Sequence, residues 1–270
     1  MKNFCKNLKW YLLAILFAAN FFIWNAIFAE ERGGLLTVAF LDVGQGDAIF
    51  IEAPNGNQML IDGGPGRAVF QPLSEAMPFY DRSIDVVMAT HPDADHIGGL
   101  PEVLRRYDVD FFSDPGMESD TGVYHALVQS VGPSGAKYVI ARRGMSIALD
   151  EAAGISLLVL FPDRDMAGAD TNDASVVLKL LYGETSFLLT GDSPQKIEKY
   201  LAAIDGKNLN TDVLKAGHHG SKTSTSAVFL GYTSPEYAII SAGKNNRYGH
   251  PHEEVLTRLD EFGVKILRTD

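Results

Sequence analysis

THPDADHIGGL, residues Thr90 to Leu100, places two histidines and two aspartates within six residues, directly after the apolar run IDVVMA. A solvated acidic loop is the bland reading of such a stretch. The flanking of two carboxylates by two imidazoles at the end of a buried strand argues for metal ligands instead, because that donor mixture suits a divalent transition ion. Loops at strand ends on a rigid scaffold are also where sites are usually built.

Working outward, LLTVAFLDV and DAIFIEA read as strands with GQG between them, PNGN as a turn, and QMLIDGG as the next strand. IDVVMATH is a strand, followed by a helix over GGLPEVLRRY, the strand VDFFSD, the helix TGVYHALVQSV and the strand AKYVIA. ISLLVLFPD is a strand, DRDMAGADTND a polar loop, and ASVVLKLLYG-ETS-FLLTGD a hairpin that delivers Asp192. PQKIEKYLAAI reads as a helix with Ser193 at its N-cap and Pro194 in its first turn. NTDVLKAG is a strand that delivers HHGS, and EYAIISAG, a helical HEEVLTRLDEFG and VKILRT close the chain. Two meanders with helices among them predict two sheets covered by helices.

The N-terminus is a separate object. Lys2, Lys6 and Lys9 precede an uncharged run from Tyr11 to Ala29. Cations before such a run favour retention of the first residues in the cytoplasm and export of the rest. Residues 1–31 are therefore expected to be a membrane anchor, or a signal segment cut near Ala29, with one domain over 35–270 outside the cytoplasm. A single cysteine, Cys5, excludes an intrachain disulfide and a thiolate-rich zinc cluster. A net charge of -11 opposes nonspecific binding to nucleic acid, although divalent ions can reverse the field locally.

The side chains expected where strands end are Asp62, His91, Asp93, Asp95, His96, Asp192, His218, His219 and His250. Five of the seven histidines are among them, too many donors for one tetrahedral zinc, so two divalent ions are the economical reading. His125, mid-helix, and His252, at a helix start, read as structural. Ser221, Lys222 and Thr223 read as an anion-contacting loop or as a helix N-terminus, and Asn245, Arg247, Lys215 and Lys222 as a local basic rim.

HPDADH resembles the H-x-H-x-D-H signature of the metallo-β-lactamase superfamily, with Asp93 in place of the second histidine. MLIDGG and FLLTGD resemble two more of its motifs. FLDVGQGDAIFIEAPNG, VLKAGHHGSKTSTS and YAIISAGKNNRYGHP together resemble the hydrolase-like domain of the ComEC competence proteins. The resemblance implies an αββα four-layer sandwich, here preceded by one apolar helix. It implies that His91 and Asp93 hold a first metal, Asp95 and His96 a second, with Asp192 bridging and His218 or His219 as the late ligand. Where the superfamily places its remaining first-site histidine stand Asn172 and Asp173, which tilts preference from zinc toward manganese or magnesium. Asp62 is cast as an orienting carboxylate, Asp95 as assisting water activated by the ions, and His250 as approaching the leaving group.

The implied function is hydrolysis of DNA phosphodiesters during uptake. Hydrolysis of a small ester, lactone or thioester is the alternative, because one fold hosts many reactions. A non-catalytic module with a degraded metal site is the third reading.

Overall fold

The computed structural model describes residues 2–30 and 35–270, with side chains from Asn7 to Asn25 and from Leu35 onward. It forms two units, residues 1–35 and 36–270. The first unit is helix α1 (Lys2–Glu30). Its stretch Asn7–Asn25, 19 residues, is long and apolar enough to cross a membrane, reaching about 28 Å at 1.5 Å per residue. Cys5, Ala29 and the junction at residues 31–34 lie outside the described side chains.

The body carries two sheets. The first has strands β1 (Thr37–Phe40), β2 (Ile49–Glu52), β3 (Gln58–Ile61), β4 (Ser83–Met88), β5 (Asp108–Asp114) and β6 (Lys137–Ile140), in that spatial order. β1, β2 and β3 pair antiparallel, and β3 through β6 run parallel. The second has β7 (Ser146–Asp150), β8 (Ile155–Phe161), β9 (Val177–Tyr182), β10 (Thr185–Leu189), β11 (Val213–Lys215), β12 (Tyr237–Ile240) and β13 (Lys265–Arg268), again in sequence order. It too begins antiparallel and turns parallel from β10 onward.

Alternation along the strands divides the apolar side chains among three cores, because successive residues point to opposite faces. Phe50, Leu60 and Val87 face α2 (Phe70–Ala76), α4 (Leu100–Arg106) and α5 (Gly122–Ser134) through Leu73, Leu100 and Leu127. Their neighbours Ile51, Met59 and Met88 meet Leu157, Leu178 and Leu180 of the other sheet. Val177, Leu188 and Leu214 face α6 (Gln195–Asp205), α7 (Ala227–Thr233) and α8 (Glu253–Glu261) through Leu201, Phe229 and Leu259. Helix, sheet, sheet and helix make the four-layer αββα sandwich, and strands covered on both faces read as continuous apolar runs.

Three elements differ from the sequence reading. β7 and α2 are short and lack a clear period. α7 is rich in β-branched and aromatic residues, yet the Ser226 hydroxyl accepts the Phe229 N–H and starts a helix there. Ser193 is not the N-cap of α6: that position is Pro194, and Ser193 is buried one residue ahead of it.

The ends of β3, β4, β10, β11 and β12 converge on one rim, where the short helix α3 (Ala94–Ile97) follows β4. Crowding there is relieved by missing side chains. A Cβ at Gly99 would strike the Gly63 carbonyl, and one at Gly46 the Asp95 carbonyl. Leu178→Ala, which opens a void between the two sheets, should cost about 2–5 kcal/mol by denaturant unfolding. A loss below half a kcal/mol would contradict the packing described.

Candidate metal centre

Asp62 follows β3 with φ 60° and is fully buried. Its Oδ1 accepts the Thr90 N–H at 2.7 Å, and its Oδ2 accepts the Thr90 hydroxyl at 2.7 Å and bonds His96 Nδ1 at 2.8 Å. One carboxylate therefore fixes both the exit of β4 and the imidazole of His96, with Nε2 turned away from it. Thr90 Oγ1 also meets His91 Nδ1 at 3.0 Å, which leaves the Nε2 of His91 as its outward atom.

Asp192 lies at the end of β10. Its Oδ2 is 3.4 Å from His96 Nε2, 3.4 Å from His219 Nε2 and 3.8 Å from His218 Nε2. The two late histidines reach it because both take left-handed backbone, φ 47° and 55°. With Asp62 they make up half of the six non-glycine residues with positive φ among those described. Such backbone is costly and concentrates at functional sites. His219 is buried and its Nδ1 donates to the Ser241 carbonyl at 2.9 Å, whereas His218 is partly exposed and its Nδ1 meets Thr223 Oγ1 at 3.1 Å. The structure thus brings both histidines to one carboxylate, and His219 is the more enclosed.

Asp95 Oδ2 sits 3.3 Å from His219 Nε2, and Asp93 Oδ2 3.7 Å from His91 Nε2. Asn172 and Asp173 form a single 3-10 turn, and Lys196 is ion-paired with Asp173. His250 stands with its ring centroid 5.5 Å from that of His218 and 6.3 Å from that of His219. The hydroxyls of Ser221 and Thr223 bond each other at 3.0 Å, so this loop holds His218 in place. Ser221 is buried, whereas Lys222 and Thr223 are exposed.

Sequence reasoning missed Asp47 as a site residue and misplaced Lys215. Asp47, His96, Asp192 and His219 each offer an atom within 4.8 Å of the others. Asp47 approaches the Nδ1 side of both rings, 3.8 Å from His96 and 3.5 Å from His219, and is ion-paired with Lys215. It therefore backs the imidazoles rather than facing the free nitrogens. Lys215 is not part of a basic rim: it is fully buried, and its Nζ donates to the Gly191 carbonyl at 3.0 Å and lies 3.6 Å from Asp192 Oδ1. Only a signal spanning two distant strands, GQGD and VLK, would have shown this pair.

The donor set fits divalent ions. The Nε2 atoms of His91, His96 and His219 and the Oδ1 of Asp192 are buried with no hydrogen-bond partner, which is costly unless another group satisfies them. Burial works against charge on His96, yet Asp192 and Asp62 hold its pKa well above the usual value. His219 is likewise disfavoured by burial and pushed up to about 9 by Asp192 and Asp47. Burial, with His96 beside it, pushes His91 down to about 3. Asp192, despite burial, is held well below the carboxylate range by His219 and His96.

A pH linkage follows. His96 and His219 thus both favour the protonated form when no ion is bound, and a metal ligand needs the bare nitrogen. Ion binding should release protons at pH 7, with affinity rising as pH increases toward about 9. Calorimetry with manganese in buffers of different ionisation enthalpy measures this; no proton release would contradict the assignment of His96 and His219.

Residues 41–123 match the sequence profile of the metallo-beta-lactamase superfamily. The chain is 34% identical over 257 residues to ComE operon protein 3 of Bacillus subtilis, covering 86% of this chain and 32% of that protein. It is 33% identical over 258 residues to competence protein ComA of Neisseria gonorrhoeae, covering 95% and 34%. Recombination protein 2 of Haemophilus influenzae is 34% identical over 233 residues, covering 85% and 27%. The chain thus spans about a third of the length of these relatives. Among solved structures, the fold is similar to CmlA, a diiron beta-hydroxylase from Streptomyces venezuelae, with TM-score 0.56, 13% identity and coverage of 86% and 52%. It is similar also to the metallo-beta-lactamase fold protein YhfI from Bacillus subtilis, with TM-score 0.55, 12% identity and coverage of 86% and 95%. The motifs, the sandwich and these relatives together place the chain in the metallo-β-lactamase superfamily, alongside the ComEC-like competence proteins.

Proposed function

We propose that the body of this chain is a metal-dependent phosphodiesterase that acts on DNA outside the cytoplasm, held at the membrane by α1. The observation that carries the reading is the set of buried, partnerless Nε2 atoms of His91, His96 and His219 near Asp192. Asp192 would bridge two divalent ions, manganese or zinc with magnesium as a further choice. His91 and Asp93 would hold one, and Asp95, His96 and His219 or His218 the other. Such ions, when bound, lower the pKa of water and neutralise charge developing on a phosphoryl group.

The remaining chemistry belongs to the side chains. Asp95 is raised by burial but lowered further by His219 and His96, so it is a carboxylate at neutral pH and able to accept a proton. Burial and His218 bring His250 down to about 4, so its imidazole is neutral there. Two cavities adjoin the ligand set and would receive the strand. One of about 520 Å³ is lined by His218, Asp173, Lys196 and Lys222. The other, of about 630 Å³, is lined by Asp95, Gln45, Asn246, Arg247 and Tyr248. Lys222 and Arg247 supply cations for phosphate oxygens. Competence and recombination, the words that name two relatives, are processes performed on DNA, and a cytoplasmic N-terminus would place the body outside.

The test is cleavage of labelled single- and double-stranded DNA by the full chain in detergent, with manganese, magnesium or zinc. Wild type should cut, chelator should stop it, and Asp192→Ala and His96→Ala should each lose at least about a hundredfold. A metal-loaded, folded wild type that cuts neither form would shift the reading to a small ester, lactone or thioester.

A further inference from the structure

The cavity that opens on Asp95 has an aromatic wall. Tyr248 is 49% exposed. Its ring lies 5.7 Å from that of His250 at an interplanar angle of 20°, a stacked arrangement. The Arg247 guanidinium sits over the same ring at 4.8 Å and donates to the Tyr248 hydroxyl at 2.6 Å. Column and metal ligands are joined, because the His250 ring also contacts those of His218 and His219.

The loop is preset for display. Asn246 Oδ1 accepts the N–H groups of Tyr248 at 3.1 Å and His250 at 3.0 Å, and Asn246 Nδ2 donates to the Gly243 carbonyl at 2.9 Å. Tyr248, held here by one asparagine, brings its ring and the guanidinium plane lying over it to the cavity that Asp95 also lines. A planar, electron-rich ligand with an attached phosphate matches both features: nucleobases stack on aromatic faces and guanidinium planes regardless of sequence.

We infer that the Arg247–Tyr248 column is a stacking platform for one nucleobase of a single strand, flanking the phosphodiester presented to the metal centre. This rests on the phosphodiesterase reading for its substrate, but it makes a separate demand. Base-bearing strands must bind more tightly than a sugar–phosphate chain of equal charge.

The experiment measures fluorescence anisotropy of the full chain in detergent, with chelator present to prevent turnover. The probes are a short labelled oligothymidylate and an abasic oligomer with the same number of phosphates. Wild type should prefer the base-bearing probe by about tenfold. Tyr248→Ala should bring that ratio close to one, Tyr248→Trp should preserve it, and melting curves check that both variants fold. No preference in wild type, or a preference that survives Tyr248→Ala, overturns the platform. The same samples assayed with manganese separate the two proposals. Cleavage without base preference sinks the platform alone, and base preference without cleavage sinks the phosphodiesterase reading alone.

Discussion

The ion pair between Lys215 and Asp47 is the constraint on which the site depends. Lys215 ends β11 in the second sheet and Asp47 precedes β2 in the first, so the pair ties the two sheets at the rim where their strands run out. Both residues are buried. An ion pair in that position gives little net stability, but removing one partner leaves a buried charge and costs about 3–5 kcal/mol. Burial disfavours both charges; Asp47 and Asp192 still hold Lys215 above its ordinary pKa, and Lys215 and His219 pull Asp47 below its own. Lys215 also faces Asp192, so one ammonium answers two carboxylates from different sheets.

Around that pair the site is a balance of buried charge. Asp47, Asp62 and Asp192 are buried acids, and Lys215 is a buried cation set against Asp47 and Asp192. The same acids favour positive charge on His96 and His219. Divalent ions at the Nε2 atoms would do the same work with more charge, so the protein folds around a site already shaped for them. Asp62 and Ser241 hold the Nδ1 sides whichever occupant is present. The ligand nitrogens are therefore aimed by hydrogen bonds rather than by the ions alone.

How much of this was legible in the sequence depended on distance along the chain. The ligand loop was readable because Thr90, His91, Asp93, Asp95 and His96 come from one strand end and its short following helix. Likewise the two helix-covered sheets were readable from runs such as IDVVMA and ISLLVLF, largely apolar because both faces are covered, whereas the αββα order came from the family resemblance. Asp47 read only as the first residue of the strand DAIFIEA, after GQG, and nothing local marked it as a site residue. Lys215 looked like surface charge, as nearly every lysine is. Their roles arise only when the loop ahead of β2 meets the end of β11, a contact that neither local pattern nor periodicity encodes. The choice between His218 and His219 was equally hidden, because it turns on two successive left-handed residues that place adjacent side chains on one carboxylate.

The acidity of the chain finally bears on how an anionic substrate would be held. With a net charge of -11 the long-range field repels a polyanion, so attraction has to be local. Of the cations near the ligand set, Lys215 is committed to Asp47 and Lys196 to Asp173, which leaves Lys222 and Arg247 exposed at the two cavities. Two side chains offer a small electrostatic footprint compared with the many phosphate contacts of a salt-sensitive nucleic-acid binder. For the proposed DNA substrate, recognition would then draw on contacts that do not scale with charge, namely the ions at one phosphate and stacking on a neighbouring base. An acidic body with a narrow cationic, aromatic mouth would therefore hold a strand only where it can be cut, and release it elsewhere along its length.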